Sequence, residues 1–205
     1  MEFNSKHWMR LAVPNGKLIG TRTMAIPICP GYFIGVLLDR YSTKDMRRVS
    51  FFCGIGLDSE SFLALRFCNE FISSIRIDKL EGMIPVVKQE THEYQKQFGN
   101  LASFANKNLE KLSKRPSANS VLDVVLAHYL DPVCPLPPFK LTEASIHQQA
   151  SIEYDYEFAH VKTILKLQDE WQSPDYEQLK SVRIQNWVTK NRLKPDFFEP
   201  KSTSL

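Results

Sequence analysis

The chain of 205 residues has four cysteines but no Cys-x-x-Cys pair, and five histidines with no His-Glu-x-x-His or His-x-His spacing. A zinc centre therefore has no legible ligand set, because a tetrahedral site needs such residues brought together by close spacing. No Gly-x-Ser-x-Gly occurs, which removes the nucleophile elbow of the α/β-hydrolases. Gly54-Ile55-Gly56 lacks the third glycine of a dinucleotide-binding turn. No apolar run approaches the roughly 20 residues that a membrane-spanning helix requires. The opening MEFNSKHWMR is followed by no apolar stretch of the kind a secretory leader has. A soluble cytoplasmic protein without cofactor or metal is expected, its widely spaced cysteines serving as buried reduced thiols.

Charge excludes little. Twenty-six basic and 23 acidic residues leave a formal charge of +3, too small to imply nucleic acid or membrane by itself. The 43% hydrophobic content is ample for a core. A single α+β domain over 1–205 is expected, with a β-rich part to residue 87, a helical hairpin insertion at 88–130, and a remainder at 131–205.

The β-rich part shows apolar, β-branched and aromatic runs at 23–29, 32–38, 47–53 and 62–68, bounded by Gly, Pro, Asp or Ser. Pro30-Gly31 between the first two reads as a hairpin turn. Pro27 removes a ladder donor, which favours an edge or rim position. A strongly bent antiparallel sheet, or one of SH3-like barrel type, follows. From Gln89 to Leu112 the period changes: Tyr94, Phe98, Leu101, Ala105, Leu109 and Leu112 make one apolar helical stripe. Lys114-Arg115-Pro116 stops that helix, and Ser117 or Ser120 caps a second one running to Leu130. Prolines 132, 135, 137 and 138 make residues 131–139 an extended connector. A C-terminal helix is expected over 174–192.

Ile152, Tyr154, Tyr156 and Phe158 alternate with Glu153, Asp155 and Glu157, the pattern of a strand with one acidic face. Three carboxylates in a row can receive a basic partner or a hard cation, or simply form a solvated strand face. Two basic clusters are also visible, one with Arg40, Lys44, Arg47 and Arg48 around a turn, the other with Lys180, Arg183, Lys190, Arg192 and Lys194. The partner-binding candidates are thus Glu153, Asp155, Glu157, Arg40, Arg47 and Arg48. Neither basic cluster interleaves aromatics as a nucleic-acid stacking platform does, and His128 reads as a structural histidine.

The stretches Gly20-Thr21-Arg22-Thr23-Met24-Ala25-Ile26-Pro27-Ile28, Gly31-Tyr32-Phe33-Ile34-Gly35-Val36 and Val49-Ser50-Phe51-Phe52-Cys53-Gly54 resemble, in order and spacing, the bacterial immunity protein 26 family. Ile77–Val87, and Pro135–Lys140 followed by the acidic Tyr154-Asp155-Tyr156 strand, are similar to that family too. The resemblance covers about a third of the chain. It implies a cytoplasmic, β-rich, non-enzymatic protein that neutralises a polymorphic toxin by binding it, and it supplies no binding residues. Two alternatives stay open: an accessory subunit of a bacterial defence or nucleic-acid-processing complex, and a ToxN-like endoribonuclease. The last needs a Ser/Thr-Ser-x-Lys segment, for which Arg47-Arg48-Val49-Ser50 is a weak substitute.

Overall fold

A computed structural model describes residues 3–41, 43–58, 66–150, 152 and 155–199. The chain forms two compact units, one of residues 1–56, 64–99 and 188–205, the other of residues 57–63 and 100–187. The first carries the sheet and the second is helical.

In the first unit, β1 (Lys17–Ile19), β2 (Thr23–Cys29), β3 (Tyr32–Tyr41), β4 (Thr43–Ile55) and β5 (Arg66–Arg76) pair in that order, all antiparallel. The sheet is open, with β1 and β5 at its edges, so the antiparallel meander is present without barrel closure. Pro30-Gly31 joins β2 to β3, with Cys29 opposite Tyr32. Gly31 sits at φ 81°, the left-handed backbone that a two-residue Pro-Gly turn requires. Pro27 lies in the second strand of the order, yet β1 reaches only to Ala25, so no ladder donor is needed on that side. The strand expected at 62–68 is described from Arg66 and runs on to Arg76.

Strand alternation gives the sheet two apolar faces. Tyr32, Ile34, Val36 and Leu38 share one face with their partners Ile55, Cys53, Phe51 and Val49, all buried. The helix α2 (Ile84–Phe98) covers that face, and α1 (Ser5–Ala12) packs against α2 and β2. Phe51 meets Tyr94 at 6.0 Å between ring centroids, the Tyr32 hydroxyl donates to the Phe98 carbonyl at 2.9 Å, and Trp8 Nε1 donates to the Leu80 carbonyl at 2.8 Å. Each fully buried side chain of this size contributes about 1.5–3 kcal/mol of burial.

The opposite face is built on two glycines. Phe33 faces Gly54 across the ladder and Phe52 faces Gly35. A Cβ at 35 would lie 2.0 Å from Cζ of Phe52, and one at 54 would lie 2.2 Å from Cζ of Phe33. The two rings also meet edge to face at 6.1 Å, and Phe197 packs edge-on against Phe33 at 6.2 Å.

In the second unit, the single helix expected over 89–112 is instead divided between the units. α2 ends at Phe98, and Asn100 caps α3 (Leu101–Lys114) by accepting from the Ser103 amide at 2.8 Å. Gly99 between them and the competing Asn100 side chain outweigh the continuous apolar stripe. α4 (Ala118–Leu130) is capped by Ser117 and ends where expected. It is apolar nearly all round and packs against both α3 and α6 (Asp155–Trp171), as a helix of that composition must. α5 (Glu143–Gln149) and α7 (Tyr176–Lys190), the latter up to Trp187, complete the unit, and α7 agrees with the expected C-terminal helix. Residues 131–139 form neither helix nor strand, and His128 Nδ1 donates to the Cys134 carbonyl at 2.7 Å, the structural role expected of it. Among the described residues, no helix is long and apolar enough to cross a membrane.

The glycine positions generate a stability prediction. Gly35→Ala and Gly54→Ala should each lower the unfolding free energy by about 1–3 kcal/mol, because the added methyl must displace a ring from a packed face. Gly82→Ala, where a Cβ meets nothing within 4 Å, should change it by less than about 0.5 kcal/mol. Urea titrations of the three variants check this ordering.

Candidate functional site

The acidic strand is not formed. Asp155 to Phe158 are the first turn of α6, and Glu157 is 5% exposed, buried in the helical packing. Residues two apart on a helix point about 200° apart, so a period of two makes no common face there. Glu153 and Tyr154 lie outside the described residues. The period of two held for seven residues only, whereas His160, Val161, Ile164 and Leu167 continue a helical stripe that the rest of the segment obeys.

The basic hairpin is formed, and its register gives it a shape. In the β3–β4 ladder Arg40 stands opposite Arg47, and Asp39 opposite Arg48. Asp39 bridges Arg48 and Arg22, each at 3.5 Å, in half-exposed pairs worth at most about 1 kcal/mol apiece. Arg47 Nη1 donates to the Lys44 and Met46 carbonyls at 2.7 and 2.8 Å, and its guanidinium lies 5.8 Å from the centroid of the Phe3 ring. Partial burial, followed by repulsion from Arg40 and Arg22, holds the Arg47 pKa below the ordinary arginine value, with Asp45 offsetting part of the effect. Arg40 is exposed, and among the described residues no carboxylate lies within ion-pair distance of its guanidinium or that of Arg47. Sequence reading found Arg40, Arg47 and Arg48; it missed Arg22 and Phe3, which only the fold brings near them.

The second basic cluster is not one surface. Lys180 pairs with Glu177 at 2.9 Å and lies 4.6 Å from the centroid of the Tyr176 ring. Arg183 grips Glu170 with Nε at 2.7 Å and Nη2 at 2.5 Å, and donates from Nη1 to the Asp58 carbonyl. The Tyr129 hydroxyl also donates to Glu170, at 2.8 Å, and Tyr176 donates to the Tyr129 carbonyl. Burial raises the Tyr129 pKa, reinforced by the carboxylate it serves. Burial alone would raise Glu170, but the hydrogen bonds from Arg183 and Tyr129 outweigh it and bring the net pKa down. Apart from the bond from Arg183 to the Asp58 carbonyl, these polar groups are directed at one another within α4, α6 and α7, so the network acts as a brace between helices.

Ser50 is 5% exposed and Arg48 is engaged with Asp39, so the Arg47-Arg48-Val49-Ser50 stretch presents no accessible hydroxyl beside a free cation. Among the described residues, no group of three or more His, Cys, Asp or Glu side chains is placed to hold a metal ion. Comparison with protein-family models, curated proteins and solved structures finds no significant match to this chain.

The brace predicts acid sensitivity. Because the native Glu170 pKa is lowered from its ordinary 4.5, the stabilisation is complete above that value and is lost as the pH falls through the lower native one. Glu170→Gln should cost roughly 2–4 kcal/mol near pH 7, since a part-buried Arg183 loses its charged partner, and should flatten the stability profile between about pH 5 and 3. Urea midpoints of both proteins across that interval provide the check.

Proposed function

We propose that this chain is a non-enzymatic protein-binding module of the immunity-protein kind, which neutralises a cognate toxin by engaging an acidic surface with the basic end of its β3–β4 hairpin. The observation that carries the reading is the in-register Arg40–Arg47 pair. Like charges directly opposite on a sheet destabilise it, and here Arg22 adds to the repulsion on Arg47. A carboxylate-bearing partner relieves that repulsion on arrival, and guanidinium groups suit carboxylates because they donate in pairs from a planar fork. The hairpin presents the charges from paired strands, so little conformational entropy is lost on binding. The family resemblance of the β2–β4 stretches supports the same reading, and a cytoplasmic site of action goes with it.

The test uses the products of the genes adjacent to that of this protein, titrated by calorimetry at about 25 and 250 mM salt. One product is expected to form a stoichiometric complex whose affinity falls about tenfold at the higher salt and about tenfold in the Arg40→Gln/Arg47→Gln variant. The free variant is expected to be as stable as the parent or slightly more so, since it lacks the repulsion. A complex indifferent to salt and to both substitutions, or no complex with any neighbouring product, contradicts the proposal. Binding of RNA with loss on the same substitutions would favour the nucleic-acid-processing subunit instead.

A further inference from the structure

The sheet unit contains a cavity of about 540 Å³ at its β1 edge, away from the residues of the basic hairpin end, and the proposed function makes no use of it. Its apolar lining is Leu18 of β1, Met24 of β2, and Leu193 and Phe197 of the C-terminal segment. Met24 and Phe197 are 2% and 3% exposed, so the floor is well supported from behind. Arg10, Arg192 and Lys194 stand at the exposed rim. Among the described residues, none of these three has a carboxylate within ion-pair distance, although Asp196 and Glu199 also belong to the lining.

Lys17 builds one wall. Its ammonium donates to the carbonyls of Asp196, Phe197 and Glu199 at 2.8, 2.8 and 2.9 Å, and it lies 5.9 Å from the centroid of the Phe197 ring. All three protons are thereby committed to neutral acceptors. The C-terminal segment is pinned to β1, but the positive charge is solvated by dipoles and not cancelled, so it still acts on the cavity. Arg192 supplies the next charge from an unusual backbone. The Leu193 amide donates to the Val188 carbonyl and the Arg192 amide to the Thr189 carbonyl, the paired bonds of a Schellman motif at the end of α7. Arg192 occupies its left-handed position at φ 55°, where glycine is the usual residue and a side chain costs on the order of 1 kcal/mol.

We infer that this cavity is a binding site for a small amphipathic oxyanion, a carboxylate or phosphate head carried on a flat apolar body. The body lies against the half-buried Leu18 and Leu193, backed by Met24 and Phe197, and the head meets Arg10, Arg192 and Lys194. Apolar lining with a few convergent polar groups is the common make-up of small-molecule sites, and arginine forks match both carboxylate and phosphate geometry. An uncharged apolar ligand would leave the rim cations unused, and a bare anion would gain nothing from the floor.

The inference is tested by NMR titration of the full chain with benzoate, phenyl phosphate, phenol and inorganic phosphate. Benzoate or phenyl phosphate is expected to saturate at millimolar concentration or below, moving the amides of 17–19, 192–194, 196 and 197. Phenol and inorganic phosphate are expected to bind at least about tenfold more weakly, since each offers only half of the interaction. The tighter of the first two identifies the head group as carboxylate or phosphate. Arg192→Gly separates binding from folding: the left-handed position favours glycine, so the melting temperature holds or rises while affinity falls about tenfold. Arg10→Gln is expected to weaken binding without moving the melting temperature. Phenol binding as tightly as benzoate, unchanged affinity in Arg192→Gly, or no saturation by any of the four probes overturns the inference.

Discussion

Two rings lying where side chains would otherwise be hold the sheet of this protein in register. Phe33 occupies the space over Gly54 and Phe52 the space over Gly35, so the β3–β4 ladder closes only when each ring finds its glycine. A slip of one residue would turn every side chain to the other face and bring a Cβ-bearing residue against each ring. Phe197 in turn rests edge-on against the Phe33 ring. The β3–β4 register then fixes everything farther along the hairpin: Arg40 opposite Arg47 and Asp39 opposite Arg48 follow directly from the pairing of Gly35 with Phe52.

That dependence explains what was legible in the sequence. The strands at 23–29 and 32–38 could be read because alternation, β-branching and a Pro-Gly turn all agreed on them. The helices at 118–130 and 176–190 could be read because a cap or a proline marked their starts. The segment at 153–158 misled because Tyr154, Tyr156 and Phe158 alternate over a stretch too short to settle a period, while the buried positions Val161, Ile164 and Leu167 beyond it decide for a helix. The break at Phe98-Gly99-Asn100 was masked by an apolar stripe that runs through it, since its two halves face different cores.

The charged sites were legible in part for a related reason. Arg40, Arg47 and Arg48 are close in sequence, so their clustering needed no tertiary information. Arg22 reaches Asp39 only through the β2–β3 register, and Lys17 reaches residues 196–199 only because the chain returns to β1 at its far end. Likewise the Tyr129, Glu170 and Arg183 brace joins three helices whose packing no local pattern specifies. Interactions over such separations are set by the fold, and a single sequence carries little sign of them.

The functional account rests on the hairpin end being a preorganised platform and not a loose arm, because only a rigid array of like charges stores repulsion that a partner can release. Native-state hydrogen exchange on the free protein tests this most directly. In a preorganised platform the ladder amides within 37–40 and 47–50 exchange within about tenfold of those within 33–36 and 51–54, as parts of one cooperative sheet. Fast exchange confined to 37–40 and 47–50, with the Phe33 and Phe52 region still protected, would contradict it.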